Sequence, residues 1–302
     1  MPTTVDEALI LASQRAGECL YVAGGTDVQV RRKQELLVRP HVIDLSQVPS
    51  LRRIQRRNDQ FEIGSMVTLE ELSEESASCC PMLVEAVRSV ASPVIRCTAT
   101  VGGNLLVSNR CTYYNQSRFW RETAGSCLRD VGPTCLATGV KDKCTARNVS
   151  DLAPALIALN SSVEIRDQHS THVVPLSDLY VADGIRSHAY MEHGAILTAI
   201  RVSTKPVRWW YRKLRRRQSI DFTSLTVAGA VDTSGQVRIC LNGVSTSPVL
   251  METDLATSTL PDLQRRARRA CQTVDNDVMS LKYRRQMMDL FLAHLWHAFT
   301  EE

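Results

Sequence analysis

No stretch of this sequence stays apolar for the roughly 20 residues that a membrane-spanning helix needs. The usual nucleotide signatures are missing too: there is no G-x-G-x-x-G and no G-x-x-x-x-G-K-[ST], so an ordinary Rossmann or P-loop reading has no support. Aromatic residues make up only 5% of the chain. They do not interleave with the arginine runs at 215–217 and 265–269, which removes the stacking groove expected of a single-strand nucleic-acid binder. Neither sign of charge dominates: 36 Lys and Arg face 32 Asp and Glu, a net charge of +4, too small to argue for nucleic acid. The seven histidines form no H-E-x-x-H, Cys-His or Ser-His-Asp pattern, and none is assigned a catalytic role. The start, MPTTVDEALILASQ, has no positive segment, and its helix-spaced apolar residues read as a helix and not as a signal peptide.

What the sequence does have is cysteine. Ten cysteines without an export signal point to a reducing, cytoplasmic compartment, where clustered thiols are more often metal ligands than disulfides. Cys19, Cys79, Cys80, Cys97, Cys240 and Cys271 lie scattered in apolar or helical contexts and read as small packing residues. The other four fall in one irregular segment, RCTYYNQSRFWRETAGSCLRDVGPTCLATGVKDKC, spaced C-x15-C-x7-C-x8-C. A long irregular loop inside a compact domain needs something to organise it, and four thiolates closing on a metal centre would do so. Four Cys ligands suit zinc or a [4Fe–4S] cluster. The lack of C-x2-C disfavours zinc, and the spacing is not the compact ferredoxin run. On spacing alone a cluster, a zinc ion stapling a non-redox assembly loop, and disulfides all stay open. Tyr113, Tyr114, Phe119 and Trp120 are expected to shield such a centre, or to form the loop's own small core.

Along the chain, residues 4–17 read as an amphipathic helix. CLYVAGGTDVQVRRKQE reads as strand, glycine turn and helix, and HVIDLS and FEIGS as short strands. TLEELSEES and PMLVEAVRSVA read as helices; in the second, Met82, Leu83, Ala86, Val87 and Val90 share one face. A helix over 151–159 precedes three strands, SSVEIRD, THVVPL and AILTAIRV. The character changes at 203–206. WWYRKLRRR, SLTVAGAVD and QVRICLNGV follow as strands, then LPDLQRRARRACQTV and SLKYRRQMMDLFLAHLWHAF as helices. In the last helix Met287, Met288, Leu290, Phe291, Leu295 and Trp296 are read as the core face. The pattern predicts an α+β protein with a second α+β domain at its C-terminal end.

Two glycine turns stand out. Ala23-Gly24-Gly25-Thr26-Asp27 ends an apolar strand and opens a helix, and Thr100-Val101-Gly102-Gly103-Asn104 offers a second such turn. Glycine permits positive φ and close approach of the backbone to a ligand, and N–H groups at a helix start suit a phosphate. Together with the later SDLAPAL, VVPLSDLYV, GAILTAIRV, ICLNGVSTSPV and YRRQMMDLFL, these turns resemble the FAD-binding subunits of the molybdenum hydroxylase (xanthine oxidase) family over nearly the whole chain. The forty or so residues inserted between Asn104 and Ser150, beginning CTYYNQS, resemble those of the beta subunits of 4-hydroxybenzoyl-CoA reductases. The resemblance implies a PCMH-type FAD-binding domain of two α/β subdomains over 1–203, with an iron–sulfur loop at 110–148. A C-terminal α+β domain of the CO dehydrogenase flavoprotein type follows over 204–302. It implies FAD contacts from Tyr21, Val22, Ala23, Gly24, Gly25, Thr26, Asp27 and Val28, from Val90, from Thr100, Val101, Gly102, Gly103 and Asn104, and from Asp151, Leu197 and Lys213. It also implies that Cys111, Cys127, Cys135 and Cys144 bind a [4Fe–4S] cluster. The expected function is that of an electron-transfer subunit. It would link a ferredoxin-like donor to the [2Fe–2S] small subunit and the molybdopterin-binding large subunit of a dimer of heterotrimers, for reductive dehydroxylation of 4-hydroxybenzoyl-CoA or a related aromatic acyl-CoA; the alternative is the FAD subunit of an oxidative molybdenum hydroxylase, with electrons flowing outward. No residue of this chain is expected to touch that substrate.

Overall fold

The apolar residues Val5, Ala8, Leu9 and Ala12 recur three and four apart, so on a helix they form one stripe. In the computed structural model, which describes residues 1–15, 17–57, 60–192, 194–203 and 208–301, they wind into α1 (Val5–Ser13). Thr4 caps this helix by accepting from the Glu7 N–H. The stripe covers a βαβ unit in which β1 (Cys19–Val22) and β2 (His41–Asp44) pair in parallel, joined through α2 (Val28–Lys33).

After this unit come β3 (Ile54–Arg57), β4 (Gln60–Gly64), α3 (Leu69–Ser76), α4 (Pro81–Arg88), α5 (Pro93–Arg96) and α6 (Val101–Leu105). The inserted segment follows with α7 (Arg118–Ala124), then α8 (Leu152–Ala158), β5 (Ser162–Arg166), β6 (Thr171–Pro175) and β7 (Ile196–Ser203). The five strands form an antiparallel sheet in the order β3-β4-β7-β5-β6. The sequence pattern did not predict β3, α5 or α6. The two helices are too short to show a period; what starts them is a cap, Ser92 before Pro93 and Thr100 before Val101. Thus TVGGN, expected as a turn, is a capped helix start.

The C-terminal part holds β8 (Arg208–Leu214), β9 (Leu225–Val231), β10 (Gln236–Asn242), β11 (Val249–Asp254), α9 (Leu260–Ala270) and α10 (Leu281–Thr300), with an antiparallel sheet ordered β11-β10-β9-β8. Strand β9 is buried along its whole length because both faces are covered. Leu225, Val227 and Val231 pack in the core under α9 and α10, while Ala228 and Ala230 join the core of the preceding sheet and its helices. That is the period-two alternation of a central strand. On α10, Met288, Phe291 and Leu295 are buried as expected, but Leu290 is 44% exposed. It falls on the outer side of the period, where it costs little. The boundary expected at 203/204 adjoins residues 204–207, which lie outside the described residues. No described helix is long and apolar enough to cross a membrane.

The inserted segment is tied off at its base. Arg110 and Arg147 exchange backbone hydrogen bonds of 2.8 and 2.9 Å. Beneath them, Arg147 approaches Asp277 to 2.5 Å, with the two side chains 9% and 0% exposed. This contact is ionic and not an aligned hydrogen bond, since Asp277 Oδ2 has no hydrogen-bond donor. Around the pair, Asn109 Nδ2 donates to Ala146 O and Thr246 O, Asn242 Nδ2 to Asn148 Oδ1 and Ser150 O, and Asn276 Nδ2 to Thr145 O. Removing one partner of a buried ion pair strands the other, at about 3–5 kcal/mol. Asp277→Ala is therefore expected to lower the unfolding free energy by that order in a urea titration followed by circular dichroism. Asp6→Ala, which breaks the exposed Arg166–Asp6 contact, is expected to leave the midpoint nearly unchanged.

Candidate functional site

Strand β1 ends at Val22, and the chain turns through Ala23, Gly24 and Gly25 into α2. Gly25 has φ +68°, and a Cβ on Gly24 would lie 1.9 Å from the Thr98 carbonyl oxygen. Only glycine lets this turn lie against residues 98–99, and that approach sets it beside Thr100. Among the described residues, none of the backbone N–H groups of Gly24 through Val28 donates to a protein acceptor. Such a run of free donors at a turn suits an anion. The two turns, expected to act alike, differ in this respect. At the second, the Val101 N–H donates to Val67 O, Gly102 to Ser65 O, Gly103 to Thr100 Oγ1 and Asn104 to Thr100 O. Its donors are spent on docking α6. Ala23, Gly24, Ser46, Arg52, Thr98 and Thr100 line one open cleft, together with Glu70, Glu71, Glu74 and Cys97. Cys97, read from the sequence as a packing residue, is exposed.

A second group lies at the start of α8. Asn104 Oδ1 accepts from Ser150 Oγ at 2.9 Å and from the Leu152 N–H at 3.1 Å, which ties the second turn to that helix. Ser150 Oγ accepts from the Ala153 N–H, so Ser150 caps α8 and Asp151 is free for another partner. That partner is Lys213 Nζ at 2.7 Å, with the two side chains 4% and 3% exposed. Lys213 also donates to Ser89 O at 3.0 Å and Asp221 O at 2.9 Å. Burial holds the Asp151 carboxyl above its ordinary range and the Lys213 ammonium below its own, each against the attraction of the other. Asp151 Oδ1 is buried without a hydrogen-bond partner, an acceptor that a ligand hydroxyl or N–H would satisfy. Val90, next to Ser89, is buried. Free donors at the first turn and an orphan acceptor at Asp151 fit a flavin nucleotide.

Three further expected contact residues are also engaged within the protein. The Tyr21 hydroxyl donates to Gly194 O at 2.7 Å and to Ala8 O. The Leu197 side chain lies in the main core. The Asp27 carboxylate pairs with Arg110, the residue before Cys111.

The four cysteines of the inserted segment line one small cavity, with Tyr113, Tyr114, Leu128, Arg129 and Ala146. All four are buried free thiols. Burial raises the Cys111 thiol above its ordinary range and pushes Cys144 up to about 11. At Cys135 burial acts the same way, but hydrogen bonds from Thr138 and Thr145 outweigh it and lower the thiol. Among the described residues no three His, Cys, Asp or Glu side chains converge closely enough to hold one metal ion. A tetrahedral zinc site needs sulfurs about 3.8 Å apart. A [4Fe–4S] core takes one thiolate on each iron, and four thiols lining one cavity are the donor set that such a core needs.

Tyr114 is buried in this small core, but Phe119 and Trp120 are 79% and 38% exposed on α7. They do not shield the cavity: α7 is held to the body through Arg121, which donates to Gln34 O and Asp130, and not through its aromatics. Pattern reading also missed Gly184, where a Cβ would lie 2.7 Å from Cys144 Sγ, and Arg129 beside the thiols. Neither carries a motif.

A family model described as the FAD binding domain in molybdopterin dehydrogenase matches residues 1–204. Over 255 residues the chain is 29% identical to an aldehyde oxidoreductase FAD-binding subunit of Escherichia coli (strain K12), covering 80% of each chain. Over 248 residues it is 26% identical to the nicotine 6-hydroxylase medium subunit of Paenarthrobacter nicotinovorans, covering 80% of this chain and 72% of that one. Its fold matches a chain of the reconstituted CO dehydrogenase from Oligotropha carboxidovorans with a TM-score of 0.77, at 20% identity, over 98% of this chain and 95% of the other. The mixed α+β architecture expected from the sequence is that of these structures.

Two substitutions test the flavin site. Gly24→Ala places a methyl group against a backbone carbonyl that no rotamer change can relieve. It is expected to abolish bound flavin, read from the visible absorbance of the purified protein. Asp151→Asn keeps the helix capped through Ser150 but removes the charged acceptor, worth about 1.5–3 kcal/mol to a ligand donor. FAD affinity measured by titration of the flavin-free protein is expected to fall at least about tenfold. Unchanged affinity would mean that Asp151 serves only Lys213.

Proposed function

The chain belongs to the family of FAD-binding domains in molybdopterin dehydrogenases, and from that premise we propose that it is an electron-transfer subunit carrying two cofactors, FAD and one [4Fe–4S] cluster. Residues 1–203 form the FAD-binding part and 204–302 the C-terminal part that closes over it. The observation that carries the second cofactor is the convergence of Cys111, Cys127, Cys135 and Cys144 on one cavity. The free N–H groups of Gly24 to Val28 hold the FAD pyrophosphate. Thr100 lines the same cleft, and Asp151, positioned by Lys213, accepts from the cofactor. When bound, FAD exchanges electrons singly or in pairs and the cluster exchanges them singly. The chain supplies binding, spacing and electrostatics, and the substrate site lies on another subunit.

In this proposal electrons move between an external ferredoxin-like carrier, the cluster, FAD and the [2Fe–2S] clusters of a small subunit. A large molybdopterin subunit completes the trimer, and two trimers pair. Two readings of the direction differ in what supports them. The inserted cysteine segment supports reduction, with dehydroxylation of 4-hydroxybenzoyl-CoA or a related aromatic acyl-CoA. The names of the relatives over most of the chain, an aldehyde oxidoreductase and a nicotine 6-hydroxylase, support oxidation with outward electron flow. Anaerobic assay of the native complex separates them: an aldehyde or N-heterocycle that bleaches the flavin supports oxidation, and dithionite-driven turnover of the acyl-CoA supports reduction.

Cys127→Ser is expected to remove roughly four irons and four sulfides per chain relative to wild type, since this cluster type is held by four thiolates. FAD should be retained, because the first glycine turn lies outside the loop. Cys79→Ala, at a half-buried thiol distant in sequence from the loop, should leave iron unchanged. Stoichiometric zinc in the wild-type protein, or iron unaltered by Cys127→Ser, would refute the cluster.

A further inference from the structure

The ring of cysteines is bordered by positive charge. Arg129 lines the cavity with the four thiols. Its guanidinium lies 4.5 Å from the centre of the Tyr114 ring and is fixed by hydrogen bonds to Asn109 O at 2.7 Å and Ser108 Oγ at 2.5 Å. It is within electrostatic reach of Cys111 and Cys144, and also of Arg31 on α2. Arg110 is within reach of Arg31, Arg129 and Arg147, and Arg147 of Cys111.

Among the described residues only two of these four guanidinium groups touch a carboxylate: Arg110 meets Asp27, and Arg147 meets Asp277. Arg31 and Arg129 have no carboxylate in contact, and the Nε atoms of Arg31 and Arg147 are buried donors without acceptors. Arginine stays protonated in proteins, so it does not relieve crowding by losing its charge. Two positive charges in excess, partly withdrawn from water, repel unless negative charge lies close by.

We infer that Arg31, Arg110, Arg129 and Arg147 form a cationic collar complementary to an anionic iron–sulfur centre, and that Arg129, at the cavity wall, sets its reduction potential. The inference rests on reading the cavity as a [4Fe–4S] site. Four thiolates around that core make a dianion when oxidised and a trianion when reduced, and potential follows net charge, hydrogen bonds and exposure. A fixed guanidinium stabilises the reduced form more than the oxidised one and so raises the potential. One electron enters from the reductant, no proton need move, and Arg129 stays charged throughout. Because Arg31 lies on α2 and Arg110 pairs with Asp27, the collar also connects the cysteine ring to the first glycine turn.

The test is a dithionite titration of the anaerobic native complex at controlled potential, with the cluster signal read by EPR. In Arg129→Gln, iron content and FAD should match wild type. The ratio of reduced to oxidised cluster at a fixed potential should fall about tenfold, equivalent to about 59 mV for a one-electron couple. Arg129→Lys, which keeps the charge, should recover most of that shift. If Arg129→Gln assembles no cluster, Arg31→Gln decides, with a smaller shift of the same sign expected. An unmoved midpoint in a variant that retains its cluster would overturn this inference while leaving the cluster standing. A wild-type protein without iron would overturn both.

Discussion

Two backbone hydrogen bonds between Arg110 and Arg147 are the constraint on which the cysteine site depends. Ordering a long irregular excursion costs backbone entropy at every residue, and nothing in the segment's own apolar content offsets it: its core is Cys111, Tyr114, Cys127, Cys144, Ala146 and a few half-buried neighbours. Pinning the two ends together places Cys111 and Cys144 near each other at the base. Local turns then bring in the other two. The Gly132 N–H donates to Cys127 O, Leu128 to Thr134 O and Cys135 to Val140 O. The base is anchored from below by the buried Arg147–Asp277 pair and by the asparagines at 109, 148, 242 and 276, all fully or nearly fully buried. Because these anchors come from the turn before α10 and from the loop after β10, the C-terminal sheet and helices are part of the cysteine site even though they supply no thiol.

The same closure ties the cysteine cavity to the first glycine turn. Arg110, at the closing pair, meets Asp27 in the first glycine turn. Farther out, Arg121 donates to Gln34 O and Gln34 Nε2 to Asn115 O, so the loop rests on α2, the helix that leaves the turn. A phosphate held at Gly24–Val28 and a cluster held by the thiols would be joined through a single short helix and one ion pair. On the other side, Asn104 bridges to Ser150 and Leu152, and Asp151 to Lys213. This polar chain runs from the second turn to the C-terminal sheet.

Most of the fold was legible because most of its elements are long enough to show a period. The stripe Val5, Ala8, Leu9, Ala12 and the unbroken apolar strand LTVAGAV each announce what they pack against. Helices of little more than one turn were not legible: α5 and α6 exist because Ser92 and Thr100 cap them and because Gly102 can lie against Ser65. Strand β11 was missed because VLMETD sits at a sheet edge with mixed burial. The cysteines could be picked out by type and clustering, but their convergence could not. It depends on a β-bridge between two arginines and on Asn276 and Asp277, residues more than a hundred positions away with no motif. Asp151 illustrates the limit from the other side: only the fold shows Ser150 accepting from the Ala153 N–H at the start of α8, which leaves the Asp151 carboxylate for Lys213.

The account stands on what lies among Cys111, Cys127, Cys135 and Cys144. The most direct measurement is an anomalous difference map at the iron absorption edge, from crystals of the complex grown without oxygen. The account predicts a strong iron peak inside the cavity bounded by those four sulfurs and Arg129, resolved as a compact group of atoms and not one ion. A peak that appears only at the zinc edge, or an empty cavity with Cys111 joined to another cysteine by a disulfide, would contradict it.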